Sequence, residues 1–298
     1  MNIAITGSLG NISLELTKKL IAKGHNVTVI THSPERMKAI EQLHAIPAVG
    51  SVEDYDFLLQ SFNNSNAVYT MIPPNYIVEN IPEYMKKVGE NYVNAIKQTG
   101  VRHVVNLSSI GAHRPDGLGP LVADHYVEKI LNELKETHVL HLRPGIFYTN
   151  FYSNIQMIKH QTIVGDNFDA STNIVLSHPL DVANVAAQAL DELSFRGKNI
   201  LYVASDEKNG GEIATILGRV IGRPDLKWHY FSDEELLQGL IQNGLSEHIA
   251  SVYIVQIGIA LRNGLLFEDY RTSKNKVFGA ISFTDFANEF AAVYGKSF

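Results

Sequence analysis

The hydrophobic positions of the chain change period in a regular order. Residues 2 to 6, "NIAIT", are a short apolar run that ends in the turn "GSLGNIS". In "LELTKKLIAKG" the apolar residues Leu14, Leu16, Leu20 and Ile21 recur at helical spacing, and Gly24 supplies the stop. "NVTVIT" predicts a second strand. "SPERMKAIEQL" predicts a helix with Ser33 as N-cap and Pro34 at its first position. A third strand ("IPAVG"), a short helix ("VEDYDFLLQSF") and a fourth strand ("NAVYTMI", stopped by Pro73 and Pro74) follow. Then come the long helix "EYMKKVGENYVNAIKQTG", a fifth strand "HVVNLSSI", the helix "HYVEKILNELKET" and a sixth strand "VLHLRPG". Strands alternating with helices over short joints predict an α/β fold, a doubly wound parallel sheet covered on both faces.

After Gly145 the alternation breaks. "IVLSHPLDVANVAAQALDEL" predicts a strand, a corner and a helix starting near Asp181. "NILYVA" and "KWHYF" are strands, and "GGEIATILGRVIG" is a helix. "SDEELLQGLIQNG" begins with Ser232 and carries Glu235 three residues on, a capping box. "FTDFANEFAAVYG" is a final amphipathic helix capped at or near Thr284. Two regions are therefore expected, residues 1–150 and residues 151–298. The second is a smaller, helix-rich α+β region, closely packed, with some segments returning to the first.

Composition narrows the classes. In 298 residues, 45% are hydrophobic and 19% charged, as in ordinary soluble domains. The net charge of -6 and the lack of a basic run argue against nucleic acid as a partner. No apolar run nears the ~18 residues of a membrane span, and "MNIAITG" enters a strand directly, so a cytoplasmic protein without a leader is expected. The absence of cysteine removes disulfides, thiolate nucleophiles and thiolate-bound metals.

The chemistry is concentrated at the strand ends. In an open parallel sheet, ligands bind outside the carboxyl ends of the strands. Gly7 and Gly10 allow a backbone approach to a pyrophosphate, and a helix opens behind them. A dinucleotide fingerprint has a third glycine for helix–strand packing, and Ser13 stands in that place. An NAD-preferring site puts a carboxylate at the end of the second strand. Here the corner is Thr31, His32 and Ser33, with Arg36 beyond it, so NADP is favoured and NAD is the alternative. His32, Ser33 and Arg36 are the candidates for the 2'-phosphate.

The series "TGSLGNIS", "GHNVTVITHSPERM", "VGSVEDYDFLLQSFNNSNAVYTMIPP", "VRHVVNLSSIGAH", "HLRPGIFYTNF" and "SHPLDVANVAAQAL" resembles the NmrA-like branch of the atypical short-chain dehydrogenase/reductases. "NGGEIATILGRVIGRP" and "FSDEELLQGLIQNG" resemble that family's C-terminal half. The resemblance covers almost the whole chain. It implies an NAD(P)-binding Rossmann domain and a C-terminal substrate region. Members include NAD(P)H:quinone and dye reductases, and also cofactor sensors with little chemistry. By this resemblance Gly7, Leu9, Gly10, Asn11 and Ile12 surround the pyrophosphate, and His32 falls where relatives have a phosphate-binding Arg. Ser51 and Val52 lie near the adenine; Met71, Ile72 and Pro73 line the central cofactor; Ser108 and Ser109 end the fifth strand. Pro144, Gly145, Ile146 and Phe147 lie near the nicotinamide.

Many short-chain dehydrogenases use a Tyr whose pKa is lowered by a Lys four residues on. Here Tyr126 is followed by Lys129 after three, with Ile130 in the usual Lys place, so the pair is a candidate in the wrong register. An acceptor that needs little acid assistance, a quinone or conjugated dye, dispenses with it. Of the histidines His125, His138 and His141, the last two flank or sit on a strand with no carboxylate at ligand spacing, and the three are read as separate polar positions, so no metal is expected. Tyr148, Phe151 and Tyr152 either wall a pocket for a flat acceptor or pack on C-terminal helices. The apolar stretch 251–267 is open among substrate cleft, dimer contact and core. The reading is an NAD(P)H-dependent oxidoreductase acting on a quinone-like or carbonyl acceptor, monomeric or homodimeric. The alternatives are an NADP(H)-sensing regulatory protein and a sugar-nucleotide epimerase-like enzyme.

Overall fold

The structure is a computed structural model that describes residues 1–75 and 77–296. In chain order the elements are β1 (Asn2–Ile5), α1 (Ser13–Ala22), β2 (Asn26–Thr31), α2 (Met37–Gln42), β3 (Ile46–Val49), α3 (Tyr55–Phe62), β4 (Ala67–Thr70), α4 (Ile81–Thr99), β5 (His103–Leu107), α5 (Leu121–Asn132) and β6 (His138–Pro144). There follow β7 (Ile146–Phe147), α6 (Ile155–Gln161), β8 (Ile163–Asp166), β9 (Asn173–Ser177), α7 (Pro179–Glu192), β10 (Lys198–Ala204), β11 (Asp206–Asn209), α8 (Gly210–Val220) and β12 (Lys227–Tyr230). The chain ends with α9 (Asp233–Gln242), α10 (Gln256–Arg262), α11 (Glu268–Thr272), β13 (Lys276–Phe278) and α12 (Phe283–Lys296).

Two compact units interleave along the sequence. The first comprises Met1–Pro115, Leu121–Arg143 and Val182–Leu201. The second comprises Asp116–Pro120, Pro144–Asp181 and Tyr202–Phe298. The chain passes from the first unit to the second at Arg143–Pro144, and residues 182–201 belong to the first unit.

In the first unit the strands lie in the order β10-β6-β5-β4-β1-β2-β3. The pairs β1–β2, β2–β3, β1–β4, β4–β5 and β5–β6 are all parallel. The chain winds outward from β1 to β3, then crosses back to β4 beside β1. That reversal makes the sheet doubly wound and places its switch point between β1 and β4. The strands read as buried apolar runs because both faces are covered: Ile3, Ala4, Ile5, Val29, Val68, Tyr69, Val104, Val105, Val139 and Leu142 are all inside. Helix α4 packs against α3 and α5. Asn80 caps α4 by accepting from Glu83 N–H at 3.1 Å, and Gly100 ends it in the left-handed region at φ 72°. Ser33 stands at the expected N-terminal position, but its hydroxyl bonds the Glu35 side chain rather than a backbone amide, and the segment opens as a 3-10 turn, Pro34–Arg36, before α2.

The second unit contains a three-stranded sheet, β11-β9-β7, and the parallel pair β8–β12. The last residues of β10 pair in parallel with β13. The capping box at Ser232 and Glu235 is present, and a second one opens α8 at Asn209 and Glu212. The final helix is capped near Thr284, two residues before it, by Ser282, whose hydroxyl accepts from Asp285 N–H at 3.1 Å. The stretch 251–267 begins inside a π-helical turn, Ile249–Val255, and continues into α10. Val255, Leu261, Leu266 and Phe267 are buried, so core is a large part of its role. No helix among the described residues is long and apolar enough to cross a membrane.

Candidate functional site

The turn after β1 is built around a backbone that only glycine fits. Thr6 N–H continues the sheet to Tyr69 C=O at 3.0 Å, and its hydroxyl accepts from Met71 N–H at 2.8 Å, locking the end of β1 to the end of β4. Gly7 then takes φ 88°. A Cβ at Gly7 would stand 2.7 Å from Ser13 Oγ and 2.9 Å from Met71 Cγ, so a side chain is excluded by conformation and by space. Gly10 N–H returns to Gly7 C=O at 3.1 Å, and Leu14 N–H to Gly10 C=O at 3.0 Å, so the turn feeds straight into α1. Leu9 and Gly10 are half-buried and Asn11 is exposed, whereas the Ile12 side chain turns into the core. Ser13 does more than fill the third glycine's place. Its hydroxyl donates to Thr6 C=O at 2.9 Å and pins the start of α1 to the end of β1. The first amides of α1 have no partner within the helix and carry the positive end of its dipole, a seat for an anion.

The corner after β2 carries a cation. Ser8 Oγ donates to Thr31 Oγ1 at 2.9 Å, and Arg36 Nη1 donates to Ser8 Oγ at 3.2 Å. The guanidinium therefore stands over the glycine turn, fixed by a residue between Gly7 and Leu9. Ser33 N–H donates to Thr31 Oγ1 at 3.2 Å. Ser33 Oγ donates to Glu35, and this bond, more than any other influence, holds the Glu35 carboxyl below the usual carboxylate range. His32 is exposed and contributes a smaller lowering of Glu35. The corner thus holds Arg36 and His32, and also one charged acid.

The other strand ends of the first unit are equally defined. Past β3, Ser51 is exposed and Val52 is buried, with its carbonyl bonded by Asn91 Nδ2 at 3.3 Å. Past β4, Met71 C=O accepts from Tyr92 OH at 2.7 Å and Pro73 C=O from Tyr84 OH at 3.1 Å; Met71, Ile72 and Pro73 keep partial exposure. Past β5 the two serines part. Ser108 is buried and donates to Glu128 Oε1 at 2.6 Å, while Ser109 stays half-buried. Ser109, not Ser108, keeps surface for a ligand.

Helix α5 shows why the tyrosine motif was out of register. Tyr126 points to α4: its hydroxyl donates to Glu90 Oε1 at 2.6 Å and Lys86 Nζ lies 5.3 Å from its ring centre. The Glu90 bond, first, raises the Tyr126 pKa, the opposite of what a proton-donating tyrosine needs. Lys129 is exposed near the end of the helix. The Tyr126 hydroxyl is engaged by a carboxylate on α4.

The inward face of α5 instead carries Asp124 and Glu128, four residues apart among Ala123, Val127 and Leu131. Glu128 is clamped by Arg143 on β6, with Nε to Oε1 at 2.9 Å and Nη2 to Oε2 at 2.6 Å. Both side chains are nearly inaccessible, at 4% and 6%. Burial first and the Glu128 charge second push the Asp124 carboxyl up to about 8, against the pull of Arg143. Deeper along β6, His141 bridges Asn106 Nδ2 at 3.2 Å and Asn132 Oδ1 at 3.0 Å. Burial holds its pKa down to about 4, so the ring is neutral. The sequence signal for this face was available: an acid pair at i and i+4 on the apolar side of "ADHYVEKIL".

In the second unit, Pro144 and Gly145 are buried. Gly145 N–H donates to Ser177 Oγ at 2.7 Å, and a Cβ there would stand 2.4 Å from Val175 C=O. Ile146 and Phe147 form β7, half-buried beside β9. The aromatic residues resolve toward packing. Tyr148 meets Phe283 and Phe286 at 5.3 and 5.2 Å between ring centres, Phe151 meets Phe283 at 5.4 Å, and Tyr152 stacks on Phe290 at 5.9 Å, all on α12. Tyr148 and Phe151 are buried; Tyr152 keeps partial exposure. His125 bonds Ala112 C=O at 3.0 Å. Among the described residues no three His, Asp or Glu side chains gather as metal ligands.

The profile of the NmrA-like family matches residues 1–260. Comparison with curated protein sequences finds no match. Solved structures share the fold. An NADPH-dependent quinone oxidoreductase from Escherichia coli, complexed with NADPH, is 19% identical with a TM-score of 0.81, over 96% of this chain and 99% of that one. A triphenylmethane reductase from Citrobacter sp., complexed with NADP(H), is 18% identical with a TM-score of 0.81, over 97% and 99%. A UDP-glucose 4-epimerase from Bifidobacterium longum, in complex with NAD+ and UDP, is 13% identical with a TM-score of 0.70, over 100% and 99%.

Proposed function

The chain belongs to the NmrA-like family, and from that premise we propose that it is an NADP(H)-dependent reductase that passes hydride to a quinone-like or conjugated acceptor. The observation that carries the reading is Arg36 bonded to Ser8 over the glycine turn. It sets a guanidinium where a 2'-phosphate would lie once a pyrophosphate occupies the start of α1. The residues fit such a group. Gly7 and Gly10 leave no side chain between backbone and ligand, and Ser13 closes the space behind them.

When bound, NADPH supplies a hydride from its dihydronicotinamide ring. The chain's own work is positioning. Leu9, Gly10, Asn11 and Ile12 offer backbone at the helix start; His32, Ser33 and Arg36 hold the corner; Ser51 and Val52 border the adenine. Met71, Ile72, Pro73 and Ser109 border the middle, and Pro144, Gly145, Ile146 and Phe147 the nicotinamide. NAD is the weaker cofactor, because it leaves Arg36 without its phosphate. The enzyme is read as cytoplasmic, monomeric or homodimeric, with a small aromatic or quinone-like substrate.

The E. coli and Citrobacter structures, described as acting on quinones and triphenylmethane dyes, support this acceptor class. An epimerase needs the tyrosine base, and Tyr126 is engaged by Glu90 instead. Spectrophotometric NADPH oxidation over a panel of quinones and cationic dyes tests the reading. Turnover with at least one acceptor is expected. Tight cofactor binding with no turnover on any would move the protein to the sensor class.

A further inference from the structure

A quinone takes a proton as well as a hydride, and Tyr126 is turned away to supply it. The direction of α5 shows what stands in its stead. Because β5 and β6 are parallel, the helix that joins them runs antiparallel to both. Its C-terminal end lies at the strands' starts: Lys198 Nζ, at the beginning of β10, donates to Leu134 C=O at 2.7 Å and Thr137 C=O at 2.6 Å. Its middle lies at the strands' ends: Glu128 holds Ser108, the first residue past β5, and Arg143, the last but one of β6.

Asp124 stands on the same face of α5, four residues before Glu128, hence about 6 Å further along the axis. Since α5 runs antiparallel to the strands, that step points toward the carboxyl ends of β5 and β6, the edge of the sheet from which Ser109 also leads. It keeps partial exposure. Among the described residues, the charges that act on it are Glu128 from α5 and Arg143 from β6. Glu90 and Lys86 of α4 face Tyr126 instead. Arg143 already gives Nε and Nη2 to Glu128. Asp124 therefore lies beside a fixed carboxylate whose cation is committed, a place that favours its neutral, proton-bearing form.

We propose that Asp124 is the catalytic proton donor for acceptors that take a proton together with the hydride. The proposal rests on the reductase reading. The acceptor gains a hydride, with its two electrons, as NADPH is oxidised to NADP+. The Asp124 O–H bond breaks as the O–H bond on the acceptor oxygen forms, and the Asp124 carboxylate is reprotonated from solvent. A cationic triphenylmethane dye differs, because hydride alone neutralises it and no proton is needed.

The test compares wild type, Asp124→Asn and Asp124→Glu with NADPH and two acceptors, a benzoquinone and a cationic triphenylmethane dye. The expected result is a fall of about a hundredfold in the quinone-to-dye ratio of kcat for Asp124→Asn, the size of a lost general acid. Asp124→Glu should recover part of that ratio. In wild type, kcat for quinone should fall as pH rises past about 8, the pH where Asp124 loses its proton, and Asp124→Asn should lack that fall. Infrared spectroscopy of the cofactor-free protein gives a readout apart from turnover. Wild type should show a protonated carboxyl band at neutral pH that Asp124→Asn lacks. An unchanged ratio, or no difference in that band, overturns the proposal. The two acceptors are taken from those that wild type turns over in the panel; if it reduces none of the panel, the reductase reading itself fails and the donor role falls with it.

Discussion

At the scale of single residues the account rests on the glycine turn and the corner beside it. Gly7→Ala forces a Cβ onto Ser13 and Met71 at a φ of 88°. A cost of about 1–3 kcal/mol in stability is expected, read by urea unfolding, with loss of NADPH binding. Arg36→Ala removes the cation from the corner. NADPH affinity should drop roughly 10- to 100-fold, the worth of a charged hydrogen bond, while NADH affinity holds, as measured by cofactor fluorescence. The glycines and Ser13 were legible because turn geometry and close packing act through small residues near in sequence. The bond from Arg36 to Ser8 was not, because it joins residues 28 apart through a strand corner. The division between Ser108 and Ser109 was equally hidden, since only the position of Glu128 decides which hydroxyl turns inward.

At the scale of elements, α5 is the instructive case. Its existence was plain from the apolar period, but which of its polar residues face the sheet depends on the helix's rotation. Tyr126 and Lys129 drew attention as residue types; Asp124 and Glu128 hold the face. Arg143→Met should leave Glu128 a buried carboxylate without its partner, costing about 3–5 kcal/mol in a urea-unfolding measurement. Two groups along α5 and β6 also shape the pH profile. The folded pKa of Asp124, about 8, lies above its unfolded value of about 4. Its stabilising contribution is therefore full below about pH 4 and is lost as pH rises to about 8. His141 has the reverse sign. Its folded pKa, about 4, lies below the unfolded value of about 6.5, so its contribution is present above that and lost as pH falls. The urea-midpoint advantage of wild type over Asp124→Asn should accordingly shrink between about pH 5 and pH 8.

At the scale of the whole molecule, the parallel sheet was readable because a doubly wound fold repeats one local pattern. The interleaving of the two units was less so. The break in alternation after Gly145 signals a boundary, but which residues return to the first unit depends on long-range pairing such as Lys23 and His25 with Asp191. Membership of the family carries the fold across the chain; the chemistry has to come from the strand ends. The most direct test is the fate of the transferred hydrogen. NADPH carrying deuterium at the transferred position of C4 should leave that deuterium on the central carbon of a reduced triphenylmethane dye, where it does not exchange with water. NADPH that binds tightly and keeps its deuterium in the presence of every dye and quinone would contradict the account.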